Sequence, residues 1–173
     1  MTVVNGVYLL QAEPIVDMWK HSEKTAGPGG TSFGLGEAGY DIRIKQDIYF
    51  KAHELGRLIF ITHNQQEIAE RRRGRFALAS SIEEFNVPGH LTGIVHDKST
   101  WARRGLSVFN TVIEPGWKGF LTLELVYHGE EDLHIPAGAG IAQVMFHEVK
   151  QPAAYNGKYQ NQADKPVGAI ASE

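Results

Sequence analysis

The stretch Lys98–Tyr127, KSTWARRGLSVFNTVIEPGWKGFLTLELVY, decides how this chain is read. It opens on Lys98, Ser99, Thr100 and Arg103, polar and cationic side chains gathered around the small residue Ala102. A short helical turn starting near Asp97 or Ser99, both good N-caps, would set Ser99 and Arg103 one turn apart on the same side, with Gly105 ending it. An extended segment and a turn at Glu114-Pro115-Gly116 follow. From Phe120 to Tyr127 the residues alternate: Leu121, Leu123, Leu125 and Tyr127 point one way, and Phe120, Thr122, Glu124 and Val126 the other. A solvent face would carry more Lys, Glu and Thr. Glu124 is therefore expected in a lined pocket, where lost hydration raises a carboxyl pKa and suits it to moving protons. A lone Glu on a strand is more often solvated or ion-paired, and spacing by itself leaves both readings open.

Outward from this stretch, 173 residues give room for one domain with a substantial core, taken as residues 1–173. A net charge of -3 argues against a general nucleic-acid or anionic-membrane binder, and a hydrophobic fraction of 42% is that of a soluble globular chain. No apolar run approaches a membrane span, and the first residues lack a basic n-region. The absence of cysteine excludes disulfides and fits a cytoplasmic setting.

N-terminal to the central stretch, short apolar pieces at residues 7–10 and 15–19 flank Pro14 and read as a strand and a helical turn. Residues 21–36, with six glycines or prolines at Gly27, Pro28, Gly29, Gly30, Gly34 and Gly36, read as a long flexible loop. Gly34-Leu35-Gly36 lacks both the Gly-Lys-Ser/Thr ending and the strand-then-helix context of a phosphate loop. Strands are expected at residues 38–44, 47–50, 58–61, 76–79, 91–95, 133–135 and 140–146, with residues 80–85 as an acidic connection. Residues 64–75, including Arg71-Arg72-Arg73, read as a solvated turn or an intersubunit contact rather than a phosphate patch. Many short strands, frequent Gly/Pro turns and few helical stretches argue for an antiparallel barrel or jelly roll. The polar tail from Gln151 reads, by composition, as a frayed terminus.

Ser99-Thr100-Trp101-Ala102-Arg103, then Val112 to Gly119, then Thr122-Leu123-Glu124-Leu125, resembles the central signature of the dCTP deaminases, relatives of the trimeric dUTPases. Ala38-Gly39-Tyr40-Asp41 and Ile141-Ala142-Gln143 through Phe146 are similar to motifs shared across that superfamily. The string Tyr155 to Gln162 resembles the deaminase tail that folds over bound nucleotide; the glycine-rich arm of true dUTPases has no counterpart here. The resemblance runs from about Ala38 to Val167 and leaves residues 1–36 as a divergent segment and 151–173 as a nucleotide-covering tail.

The resemblance implies a mainly β, distorted jelly-roll barrel of the dUTPase-like type with few short helices. It also implies a homotrimer with active sites between subunits, and deamination of dCTP to dUTP and ammonia. Glu124 would be general base and acid. Ser99 would hold the water, with a backbone carbonyl from the Asn110-Thr111-Val112 stretch, and Arg103 would stabilise developing charge beside Glu124. Lys98, Ser99 and Thr100 would meet the triphosphate, with Mg²⁺ bound through the phosphates. Thr122 and Leu123 would flank the base, Glu114 the sugar, with Trp117 beside the nucleotide. Lys158 and Gln162 would close on phosphates, with Tyr155 packing at the nucleotide. Zinc is not expected: His21-Ser22-Glu23 fits the H-x-E fragment of zinc deaminases, but no Cys-x-x-Cys can follow it.

Two departures stand out: the link from Phe109 to Glu114 is about two residues shorter than in many bacterial deaminases, and Glu114 stands where the family usually has Asp. CTP or a modified cytosine nucleotide is a further candidate substrate. Two other functions stay in view. One is a dUTPase or bifunctional enzyme releasing dUMP and pyrophosphate; the other is a non-catalytic nucleotide sensor.

Overall fold

Residues 2–63 and 67–171 are described here, from a computed structural model. In chain order, β1 (Val3–Val4) leads into α1 (Gly6–Ala12), a 3-10 turn at Met18–His21, β2 (Thr25–Ala26), a second 3-10 turn at Pro28–Gly30, and β3 (Ser32–Leu35). Then come β4 (Tyr40–Arg43), β5 (Asp47–His53), β6 (Gly56–His63), β7 (Glu67–Arg73), β8 (Phe76–Asn86) and β9 (Leu91–Asp97). After α2 (Ser99–Ala102) the chain closes with β10 (Leu106–Val108), β11 (Val112–Ile113), β12 (Lys118–Tyr127), β13 (Leu133–Ile135) and β14 (Gly140–Glu148).

The strands form three antiparallel sheets. One runs β11-β9-β14-β4-β3-β2, with β1 continuing the edge of β14 that β4 leaves; the second runs β10-β12-β8 and the third β13-β5-β6-β7. Alternating residues from all three meet in one apolar cluster, where Ile42, Phe50, Phe85, Leu125, Ile135 and Phe146 are fully buried. This is the mainly β, jelly-roll type of architecture that the strand and turn pattern predicts. No helix among the described residues is long and apolar enough to cross a membrane.

Several local expectations are corrected. Residues 7–10 lie in α1 rather than a strand, with Leu9 buried while Val7 and Tyr8 stay exposed. So short an apolar run fits either period, and the Glu13 amide closing on the Leu9 carbonyl (3.1 Å) decides for the helix. Residues 21–36 are not a loose loop: β2 pairs with β3, and β3 with β4. Gly34 there permits close approach, since a Cβ on it would lie 2.5 Å from the Glu23 carbonyl oxygen. Residues 67–73 are a strand paired with β6, with the Arg71 guanidinium over the Phe60 ring and Arg72 paired to Glu70. Residues 64–66 of that run lie outside the described residues. The acidic connection 80–85 is the continuation of an 11-residue strand, β8. Within it the buried Glu83 accepts the Arg43 amide (2.7 Å) and its Nε (2.8 Å), and burial pushes its carboxyl above the usual range despite that partner.

Candidate active site

The alternation of β12 is realised as the sequence predicts. Leu121, Leu123, Leu125 and Tyr127 are buried, and Glu124 lies half-buried on the opposite face. A register shift between Phe120 and Thr122 interrupts the pairing with β8, after which Glu124 stands opposite Leu78. The Glu124 face opens on a cavity of about 500 Å³, enclosed by β8, the 111–117 segment, β12 and the C-terminal tail. Its wall is mainly apolar, with Phe76, Leu78, Ile113 and Trp117 beside the polar Thr111, Glu114, Thr122 and Gln162. Lost hydration pushes the Glu124 carboxyl above the ordinary carboxylate range, only partly countered by a backbone hydrogen bond and the Thr111 hydroxyl 3.5 Å away. No cation partners it among the described residues.

The tail is strapped to this strand rather than frayed. Trp117 Nε1 donates to the Tyr159 carbonyl (2.7 Å), the Phe120 amide to the Gln162 carbonyl (3.1 Å), and the Val167 amide to Thr122 Oγ1 (3.0 Å). The Gln160 side chain accepts the Lys118 amide (2.8 Å) and donates to the Gly116 and Tyr155 carbonyls (2.9 Å each). Gly119 makes the approach possible. Its φ is +126°, and a Cβ there would lie 2.5 Å from the Gln162 nitrogen.

A second, polar pocket of about 720 Å³ lies at the start of α2, lined by Lys98, Ser99 and Thr100 together with Lys24, Ser32 and Asp41 among others. Trp101, fully buried, anchors α2 by donating Nε1 to the Gly140 carbonyl (2.8 Å). Lys98, neither Asp97 nor Ser99, occupies the N-cap position, and the Asp97 carboxylate accepts the Val108 amide (2.6 Å). The Lys98 ammonium pairs with the buried Asp41 carboxylate and lies 3.4 Å from Ser32 Oγ.

Of the expected site residues, Thr111, Glu114, Trp117, Thr122, Glu124, Tyr155 and Gln162 share the apolar cavity. Leu123 faces the core instead, and Asn110 is exposed outside the lining. Lys158 is exposed, its ammonium donating to the Ile170 carbonyl. Lys98, Ser99 and Thr100 line the polar pocket, and exposed Arg103 lines a third depression with Tyr127 and Glu130. Within one chain, then, Glu124 meets neither Ser99 nor Arg103, and Ser99 and Arg103 line different pockets. Sequence reasoning gave no site role to the wall residues Phe76, Leu78, Tyr159 and Val167: the first two were placed only on a strand, and Tyr159 only within the tail string. It also assigned no role to Asp41, which pairs with Lys98 across 57 positions.

A family profile described as dCTP deaminase-like matches residues 9–149. The dCTP deaminase of Protochlamydia amoebophila is 34% identical over 163 residues, covering 87% of this chain and 86% of that protein. The dCTP deaminase of Campylobacter concisus is 35% identical over 154 residues, covering 82% and 83%. Among solved structures, the native EIAV dUTPase aligns with a TM-score of 0.49 and 16% identity, over 79% of this chain and 93% of that one. With a profile spanning most of its length and relatives a third identical to it, this chain belongs to the dCTP deaminase-like family.

Proposed function

We propose that the protein deaminates dCTP to dUTP and ammonia, with Glu124 as the proton-transfer group. The observation that carries this is Glu124 itself. Its half-buried carboxyl, raised in pKa by partial desolvation, faces a mainly apolar cavity of about 500 Å³, in a chain a third identical to proteins named dCTP deaminase. Glu124 takes a proton from water as the oxygen bonds to C4 and delivers it to N3; the C4–N4 bond then breaks and ammonia leaves with a proton passed through the same carboxyl. Ser99 and a carbonyl of the 110–112 stretch hold the water, and Arg103 stabilises the charge that develops. With no cysteine in the chain, this scheme uses no zinc.

Because Ser99 and Arg103 line other surfaces than Glu124 does, we infer a threefold assembly in which one chain's polar pocket faces a neighbour's apolar cavity. Lys98, Ser99 and Thr100 then receive the triphosphate, and Lys158, Gln162 and Tyr155 close over it. Asp41 and Asp97 at the polar pocket are engaged by Lys98 and by the Val108 amide, so its lysines and hydroxyls suit an ion carried by phosphates rather than a protein cage. Magnesium arriving with the nucleotide would supply neutralisation of phosphate charge.

Incubation with Mg²⁺ and dCTP, CTP or dUTP, with products separated by chromatography, tests the reading. dUTP and ammonia from dCTP are expected; turnover of CTP alone would reassign the sugar. A second reading, release of dUMP and pyrophosphate, is favoured by one observation, the Glu114 carboxylate lining the same cavity as Glu124. Pyrophosphate from dUTP would establish it. The assembly is tested by mixing Glu124→Gln with the Ser99→Ala/Arg103→Ala double variant after dissociation. Recovered activity is expected, and none in proven mixed trimers would place these groups on one chain.

A further inference from the structure

The polar pocket has a wall built from the divergent N-terminal segment. There β2 forms the last strand of the large sheet, with Thr25 opposite Phe33 and Ala26 opposite Ser32. Lys24, the residue before β2, thereby lines the same pocket as Lys98, Ser99 and Thr100. The segment is pressed tightly onto β3: a Cβ on Gly34 would meet the Glu23 and His21 carbonyl oxygens at 2.5 and 3.0 Å, and one on Gly36 would meet Lys24 Cε at 3.1 Å. The backbone beside Lys24 is thereby held against β3 while the Lys24 side chain stays 44% exposed.

The two lysines of this pocket are partnered differently. Lys98 is 13% exposed and held by Asp41, itself 3% exposed, so its position is set from within. Lys24 donates to Glu37 Oε2 at 2.6 Å, and Glu37 is 86% exposed. An ion pair between solvated side chains is worth little net, because water competes for both partners and salt screens them. A phosphate group offers more charge and more acceptor oxygens than that carboxylate. Lys98 is the more enclosed and Lys24 the more exposed lysine of one pocket, so a phosphate chain that meets Lys98 can extend outward to Lys24.

We propose that Lys24 exchanges Glu37 for the outermost phosphate of the nucleotide and so sets the preference for a triphosphate over a diphosphate. This rests on the reading of the polar pocket as the phosphate half of a deaminase site. Steady-state kinetics of Lys24→Gln and Glu37→Gln with dCTP and dCDP test it. Lys24→Gln should raise KM for dCTP about fivefold, hold kcat within about twofold and shrink the dCTP-over-dCDP preference, whereas Glu37→Gln should lower KM about twofold by freeing the lysine. A purely structural pair would harm both variants alike. An unchanged KM and preference in Lys24→Gln overturns the proposal. Calorimetric titration with inorganic tripolyphosphate needs no turnover. Weaker binding by Lys24→Gln and tighter binding by Glu37→Gln would support the Lys24 role even if the wild-type protein failed to deaminate dCTP, which would sink the functional reading alone. Equal binding, or none, in all three proteins would overturn the Lys24 role.

Discussion

The two pockets of this chain differ in nearly every physical respect. The Glu124 cavity is walled by Phe76, Leu78, Ile113 and Trp117 and covered by the tail; the Lys98 pocket is lined by lysines, hydroxyls and glycines and has no such cover. In the first, water is removed from around one carboxyl, which shifts its proton affinity and strengthens every polar contact nearby. In the second, charge is balanced within the protein or by water: the Lys98 ammonium is neutralised by buried Asp41, while Lys24 and Glu37 pair in solvent. Under the proposed function, a single chain thus keeps the proton-transfer carboxyl and the phosphate-facing lysine Lys98 in separate pockets. Desolvation that serves the one would be costly to the other.

The sharpest way to break this contrast is at the carboxyl. Glu124→Gln keeps shape and hydrogen-bonding capacity but removes the proton, so kcat should fall by roughly 10²- to 10⁴-fold while nucleotide affinity, measured by calorimetry, persists. Near-normal turnover would remove Glu124 from the chemistry. Next in size is the cover. Gly119→Ala places a Cβ 2.5 Å from the Gln162 nitrogen at a φ of +126°. Strain of about 1–3 kcal/mol should favour the lifted tail by roughly 5- to 150-fold, read as faster limited proteolysis after Gln151. Cleavage at the wild-type rate would mean the tail is held by other contacts than these.

The pH profile sharpens the contrast further. In the proposed reaction Glu124 must be ionised to accept the water proton, and its pKa is raised by lost hydration. The acid limb of kcat/KM should therefore lie above the ordinary carboxylate range, activity falling about tenfold per pH unit below it. A limb at the value of a solvated carboxylate would show the cavity to be wet. The smallest effect is expected at Thr122→Val, which removes the acceptor of the Val167 amide without changing side-chain shape. A net loss of about 0.5–1.5 kcal/mol should speed tail exchange a few-fold in hydrogen–deuterium measurements.

What could be read from the sequence was whatever depends on neighbours along the chain. The alternation of Phe120 to Tyr127 fixes both faces of β12, because successive side chains of any strand must point oppositely. The anomaly of one carboxylate among apolar neighbours then singles out Glu124. The cavity's other wall was hidden because Leu78 reaches it through strand pairing, across 46 positions, and nothing local announces that register. Asp41 was hidden for the same reason. Residues 21–36 misled because glycine is as useful for close backbone approach as for mobility, and composition cannot distinguish Gly34 pressed against Glu23 from a loose hinge. The tail misled by its polarity alone; its hydrogen bonds run mainly through backbone groups and Gln160, which hydropathy does not register.

The bond from Trp117 Nε1 to the Tyr159 carbonyl gives the protein an optical reporter of its own. The chain has three tryptophans. Trp101 is sealed in the core, Trp19 is exposed and replaceable by Phe, and Trp117 lies between strand and tail with its indole N–H tied to the tail. Lifting the tail would break that bond and admit water to one indole only. In a Trp19→Phe background, emission should then shift to the red as the cover opens and return as it closes, with Trp101 as a constant reference. Closure over the cavity could be timed by stopped-flow fluorescence without attaching any label.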